Sequence, residues 1–212
     1  MKVVAIITSR WDSKRLPGKA LALINGKTML QRIVDNARQS EFIDEVVVAT
    51  SISSKPIIDF CEANGMGYYA GAEDDILDRL YHTARLYRAD TVVRIWGDCP
   101  LLTTKLLNAF FWRCPTIEGV DYYFSCRHNP TGYWIDILPF SLLKKAWLEI
   151  TNPKDREWIH NYFIDKSRNN TPLTYLEVLN DASPLEDWSV NTPEDLERVR
   201  EIVKRSEGNN RL

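Results

Sequence analysis

The chain has no excess of basic charge. Its 27 Lys and Arg face 29 Asp and Glu, a net charge of −2, which argues against a general nucleic-acid binder. It offers no membrane partner either. The opening apolar run, Val3-Val4-Ala5-Ile6-Ile7, covers only five residues, too short for a signal-peptide core or a membrane span. No C-x-x-C pair exists. Cys61, Cys99, Cys114 and Cys126 are scattered, which argues against a zinc site or redox motif and leaves free thiols in a reducing cytoplasm as the expectation. Histidine is scarce: His82, His128 and His160 are the three, and each is expected at the surface rather than in catalysis. No H-E-x-x-H or G-x-S-x-G occurs. The G-x-G-x-x-G fingerprint is missing, since Gly65-Met66-Gly67 leads into a strand rather than out of one. Gly26-Lys27-Thr28 resembles the end of a Walker A motif, but Leu21 stands where its first glycine belongs. Dehydrogenases and P-loop enzymes are thereby set aside.

What the sequence does have is enough apolar residue, 44% of 212, to bury a full core. Strand-like and helix-like segments alternate through the first half. Strands are expected at 3–8, at Val46-Val47-Val48-Ala49, at Tyr68-Tyr69 and at 91–96. Helices are expected at 27–39, where Met29, Leu30, Ile33, Val34 and Ala37 share one face, at 54–64, at 74–88 and from about Thr104. This order predicts a largely parallel sheet covered on both faces. The second half is less regular. A strand, a polar loop and another strand are expected over 121–138, helices at 139–149 and 153–167, and strands near 173–178 and 187–190. Thr192-Pro193-Glu194-Asp195 starts a last helix, with Thr at the N-cap and acids in the first turn. The tail from Ser206 is expected to fray. No linker or repeat is visible, so a single domain, 1–212, is expected.

Two loops carry chemistry. Thr8-Ser9-Arg10-Trp11-Asp12-Ser13-Lys14-Arg15-Leu16-Pro17-Gly18-Lys19 follows the first buried strand and holds four cations in ten residues. Its side chains can pair with phosphate oxygens, and backbone N–H groups around Ser13 and Gly18 can add an anion nest. A solvated basic surface loop is the alternative. Gly97-Asp98-Cys99-Pro100 follows another buried strand, and Asp98 there is placed to hold Mg²⁺ beside phosphates. A helix cap or turn is the alternative.

Arg10-x-x-Ser13-x-Arg15-Leu16-Pro17-Gly18-Lys19 resembles the signature loop of the cytidylyltransferases that make CMP-activated acidic sugars, in the branch that includes the spore-coat polysaccharide protein SpsF, with CMP-KDO and acylneuraminate enzymes as relatives. The likeness continues through Val47 to Ser51, Asp75 to Arg79, Val93 to Leu101 and Val190 to Glu197, in the family's order. It implies a three-layer α/β/α, GT-A-like nucleotide-diphosphosugar transferase fold, Rossmann-like, with a mostly parallel sheet. It implies that a sugar hydroxyl attacks the α-phosphate of CTP and pyrophosphate leaves, for surface polysaccharide synthesis. By position, Arg10, Ser13, Arg15 and Lys19 would grip the triphosphate, with Arg15, Lys19 and Asp98 as the catalytic set. Asp98 would hold Mg²⁺ with Asn191, and Asp78 and Arg79 would touch base or ribose. The family is also commonly dimeric, so a cytoplasmic homodimer is implied.

The chain departs from the family pattern at four places. Asp12 replaces a small residue in the phosphate loop. Asn191 replaces an Asp that ligates metal in the KDO enzymes. Trp134 replaces an Asp, while Asp136 keeps the later acid. Trp158 replaces the His of an Arg-Glu-His motif whose first two residues are Arg156 and Glu157. Trp134, Asp136, Arg156, Glu157 and Trp158 are therefore the expected sugar-binding set, with the 121–165 region as an acceptor flap or dimer interface. Core packing is the alternative for the tryptophans. Asp12 is expected to face Asn191 and replace its lost charge. Two other readings stay open: a nucleotidyltransferase for another nucleotide or sugar, and a non-catalytic nucleotide-binding scaffold.

Overall fold

The structure, a computed structural model, describes residues 1–114, 122–125, 132–165, 173–175 and 187–208. Cys126, His128, Pro130-Thr131 and the end of the tail lie outside the described residues. The first half runs β1 (Val3–Thr8), a 3-10 turn at Lys19–Leu21, β2 (Leu23–Ile24), β3 (Lys27–Thr28), α1 (Met29–Arg38), β4 (Glu45–Ser51), α2 (Lys55–Ala63), β5 (Gly67–Gly71), α3 (Ile76–Leu86), β6 (Thr91–Trp96) and α4 (Thr104–Arg113). The second half adds β7 (Tyr122–Phe124), β8 (Ile135–Pro139), α5 (Phe140–Glu149), α6 (Pro153–Glu157), α7 (Ile159–Ile164), β9 (Leu173–Tyr175) and α8 (Pro193–Gly208).

One sheet has the order β5-β4-β1-β6-β8-β7-β9. Pairing is parallel from β5 to β6, and only β8 runs against the other six strands. The fold is the expected three-layer α/β/α arrangement. Successive side chains of a strand face opposite ways, and β1 shows it. Ala5 and Ile7 join Leu30, Ile33, Leu107 and Val199 in one core, from α1, α4 and α8. Val4 and Ile6 join Leu77, Leu80, Ala146 and Phe163 in the other, from α3, α5 and α7. Both faces of β1 are covered, which is why it reads as a continuous apolar run.

The helix starts follow the capping residues. Thr28 Oγ1 accepts from Gln31 N at 3.1 Å, and Asp75 Oδ1 from Asp78 N at 2.8 Å. At α8, Thr192 Oγ1 accepts from Asp195 N at 3.2 Å while Asp195 Oδ2 accepts from Thr192 N at 2.9 Å, a reciprocal cap of the expected kind. Three details differ from expectation. The segment read as the start of a helix at residue 27 opens instead with a β2–β3 hairpin, turned by Asn25 and Gly26 at φ 47° and 82°, the Asn-Gly pair of a two-residue turn. The helix expected over 153–167 breaks at Trp158, whose backbone leaves the helical region. Residues 187–190 make only an isolated bridge at Asp187, and Val190 N donates to Asp98 O at 2.9 Å. Among the described residues no helix is long and apolar enough to cross a membrane. Cys61, Cys99 and Cys114 are free thiols. Burial pushes Cys61 up to about 11 and Cys114 up to about 12, and raises Cys99 well above its usual range. None of the three is poised as a nucleophile.

Candidate active site

The sheet order reverses beside β1. From β1 the chain winds outward to β4 and β5, then lays β6 on β1's other side. Such a switch leaves a crevice at the carboxyl ends of the two strands. Thr8 and Trp96 are register partners there. Gly97 N donates to Thr8 O at 2.9 Å, and a Cβ on residue 97 would meet that oxygen at 2.4 Å. Only glycine lets the two loops touch, and the contact carries Asp98 to the basic loop.

A cavity of about 290 Å³ occupies the crevice. The 8–19 loop contributes Arg10, Ser13, Lys14, Arg15 and Lys19, and α3 contributes Arg79. Arg94, Trp96 and Asp98 enter from β6 and its loop, Glu157 and Trp158 from the break after α6, and Asn191 from the segment before α8. Six cations thus surround two carboxylates, Asp98 and Glu157. This is a site for a multiply charged anion.

The 8–19 loop curls around one carbonyl. Trp11 O accepts from Ser13 N at 2.9 Å and from Gly18 N at 3.0 Å. Gly18 has φ 72°, and a Cβ there would come within 2.9 Å of the Trp11 ring. The N–H groups of Ser13 and Gly18, expected to contribute to an anion nest, are instead given to Trp11, and Arg10, Ser13, Lys14, Arg15 and Lys19 of the loop line the cavity. Asp12 is exposed and does not line the cavity, so the expected pairing with Asn191 is not formed.

Lys19 is the joint of the site. Its Nζ donates to Val190 O at 2.7 Å and to Asn191 Oδ1 at 3.1 Å, and lies 3.5 Å from Asp98 Oδ2. The two oxygens expected to hold metal thus already face one cation. One carboxylate and one amide oxygen would fit a hard divalent cation, which takes oxygen ligands. Among the described residues no three His, Cys, Asp or Glu side chains cluster to hold a metal.

Other expected site residues fall behind the wall. Asp78 accepts from Trp147 Nε1 at 2.9 Å, ties α3 to α5 and does not line the cavity. Arg156 donates to Asp75 Oδ2 at 2.7 Å and to Ile150 O at 2.7 Å, clamping α6 to its neighbours, and it does not line the cavity. Asp136 is fully buried and accepts from Tyr122 Oη at 2.5 Å and Trp96 Nε1 at 3.4 Å. Trp134 packs edge-on to Trp96 with ring centroids 4.4 Å apart. Neither Asp136 nor Trp134 lines the cavity. Glu157 and Trp158 do. Arg79 lines it too, but its Nη1 donates to the carbonyls of Ala72 and Glu73, which fixes the loop after β5. His160 is not a surface histidine: its Nδ1 is buried, and its ring stacks on Phe124 with centroids 4.7 Å apart. Burial holds it below its ordinary pKa, against the opposing pull of Asp136 and with a smaller push from Arg94.

The residue sequence reasoning missed is Arg94. A lone cation between Val93 and Ile95, in a strand otherwise built for the core, is the signal that could have found it.

The sequence matches the cytidylyltransferase family model over residues 4–174. The chain is 30% identical over 186 residues to the uncharacterized protein MJ1063 of Methanocaldococcus jannaschii, covering 84% of this chain and 72% of that one. It is 37% identical over 112 residues to the 3-deoxy-manno-octulosonate cytidylyltransferase of Chlamydia pneumoniae, which is 50% of this chain and 42% of that enzyme. It is 25% identical to the spore coat polysaccharide biosynthesis protein SpsF of Bacillus subtilis, over 96% of this chain and 87% of that one. Among solved structures, a cytidylyltransferase from Leptospira borgpetersenii superposes with a TM-score of 0.84 at 24% identity, covering 98% and 96% of the two chains. CMP:2-keto-3-deoxy-manno-octonic acid synthetase, solved with CTP, gives 0.74 at 18%, covering 97% and 100%. Rv0371c of Mycobacterium tuberculosis, solved with manganese, gives 0.66 at 14%, covering 95% and 99%. A profile match over most of the chain, in a sheet whose switch point gathers six cations around one Asp, means that the chain belongs to the cytidylyltransferase family.

Proposed function

We propose that the protein transfers CMP from CTP to a hydroxyl of a carboxylate-bearing sugar, with Mg²⁺, for surface polysaccharide synthesis. The observation that carries the reading is Lys19, held against Asp98 and Asn191 at the mouth of the basic loop. It gathers the phosphate-binding and metal-binding groups at one point. In the reaction the sugar oxygen bonds to the α-phosphorus, the bond from that phosphorus to the bridging oxygen breaks, and pyrophosphate leaves. The hydroxyl proton passes to solvent.

The protein has little covalent work to do. Arg10, Ser13, Arg15 and Lys19 hold the triphosphate and neutralise the charge that builds on the departing pyrophosphate. Asp98 and Asn191 would hold Mg²⁺, which supplies further charge neutralisation when bound. Glu157 and Trp158 lie on the acceptor side, where an indole face suits a sugar ring. A homodimer is the setting that the resemblance implies for this proposal, and a reducing cytoplasm the one that the scattered cysteines suggest.

Pyrophosphate release from each of the four nucleoside triphosphates, with Mg²⁺ or EDTA, across acidic and neutral sugars, tests the reading. Release is expected with CTP, Mg²⁺ and an acidic sugar. Release with another nucleotide or a neutral sugar overturns the assignment of substrates. No release with any pair, while CTP still binds, overturns the transfer itself.

A further inference from the structure

Arg94 has no task in the reading above. It stands mid-strand in β6 and is 1% exposed, yet it lines the cavity. Its register partner on β8 is Asp136. That carboxylate balances the charge without satisfying the donors, because the approach of Nη1 to Asp136 Oδ2 is 3.7 Å, beyond hydrogen-bond range. Nε and Nη1 are buried without a hydrogen-bond partner. Nη2 has one long bond, to Glu157 O at 3.5 Å. The guanidinium carbon lies 4.3 Å from the centroid of the Trp96 ring, so the group is steadied from one face.

A buried guanidinium with unmade hydrogen bonds is destabilising unless something else completes it. Arg79, equally buried, leaves only its Nε without a partner and is tied to two backbone carbonyls through Nη1; Arg94 leaves both Nε and Nη1 unpartnered and has one long carbonyl contact. The groups around Arg94 are Trp96, Asp136, Tyr122, Glu157 and Asp98, from β6 and its loop, β8, β7 and the end of α6, with Arg79 of α3 also in electrostatic range; none belongs to the 8–19 loop.

We propose that Arg94 recognises the carboxylate of the acceptor sugar, with Asp136 and Trp96 as positioning residues that hold the guanidinium ready for it. The proposal rests on the cytidylyl-transfer reading and adds the residue that selects an acidic acceptor. A carboxylate completes the donors that Asp136 leaves unmade, and the neighbouring Trp158 offers a face to the ring.

The test uses the whole chain as wild type, R94K and R94M, with R94M/D136N in case the single change leaves Asp136 uncompensated. CTP binding is read by calorimetry without acceptor. Binding of 3-deoxy-manno-octulosonate and N-acetylneuraminate, each against its C1 carboxamide, is read with CTP present by tryptophan fluorescence and pyrophosphate release. Wild type is expected to prefer at least one carboxylate to its amide by about 10- to 100-fold, the range of a charge-assisted hydrogen bond. R94M is expected to lose that preference and to raise the acceptor KM by a similar factor, with CTP affinity little changed; its melting temperature falls because Asp136 is left buried without its cation, and R94M/D136N carries the comparison free of that loss. R94K keeps the charge without the fork and falls between. Three outcomes overturn the proposal: wild type binds acid and amide alike; R94M weakens both alike; or the loss falls on CTP instead. A wild type that takes the carboxylate but not CTP refutes the reaction assignment and leaves the Arg94 site standing.

Discussion

The cavity's two walls hold positive charge in different ways. On the loop wall, Lys14 and Arg15 are exposed and Arg10 and Lys19 half-buried. On the strand-and-helix wall, Arg79 and Arg94 are each 1% exposed. A solvated cation keeps its hydration and gives it up only when a ligand arrives. A buried one has already lost its hydration, so the fold must supply what water did. The loop wall is therefore built for function at small structural cost, whereas the buried wall couples function to stability.

That contrast can be broken by exchange of single residues. The largest expected effect is on the buried wall. Asp136→Ala removes the only carboxylate paired with Arg94 among the described residues and should lower unfolding free energy by about 3–5 kcal/mol in urea titrations. A loss below 1 kcal/mol would mean that Arg94 is as well solvated as the loop cations. Next comes Lys19→Met on the loop wall. It should lower kcat/KM on the order of 10²–10³-fold with a smaller change in melting temperature than Asp136→Ala, since Asp98, unlike Asp136, keeps 22% of its side-chain surface in solvent. A large stability loss there would erase the distinction.

Arg156→Met sharpens the boundary of the site. It removes a clamp behind the cavity, so unfolding free energy should fall by roughly 1.5–3 kcal/mol while calorimetric CTP affinity holds. Loss of acceptor binding with stability intact would restore the role its sequence position suggested. The smallest effect concerns pH. Burial keeps His160 below its ordinary 6.5, so the unfolded chain takes up a proton that the folded one refuses. Stability is then full above about 6.5 and declines as pH falls from there toward the lowered folded value. The lowered carboxyls of Asp35, Asp195 and Glu207 act only at more acid pH. His160→Gln should flatten the slope just below 6.5, and an unchanged slope would place the histidine in solvent.

Local signals were legible in the sequence where their cause is local. The alternation of strands and helices, the Thr192 cap and the positions of Lys19 and Asp98 follow from periodicity, capping chemistry and loop placement after buried strands, whereas Asn191 came from the resemblance alone. Asp78, Asp136 and Arg156 were misplaced for one shared reason. A helix or strand shows its apolar face in its pattern, but not which polar side chain is captured by a neighbouring element. Trp147 captures Asp78, Tyr122 and Trp96 capture Asp136, and the carbonyls at the end of α5 capture Arg156. Trp158 reaches the cavity only because the helix breaks there, which no apolar period announces. Arg94 was visible as an anomaly in β6, and the sheet register gives the anomaly a partner.

The bonds of Lys19 also bear on the order of assembly. They join it to residues 79, 171 and 172 positions further along the chain. Contacts of such separation form late, because the intervening chain must be ordered first. During synthesis the β1 and β6 ends can meet well before Val190 and Asn191 leave the ribosome. A nascent chain stopped at residue 174, where the family match ends, would hold the basic loop and Asp98 but lack both oxygens that complete the ammonium's shell.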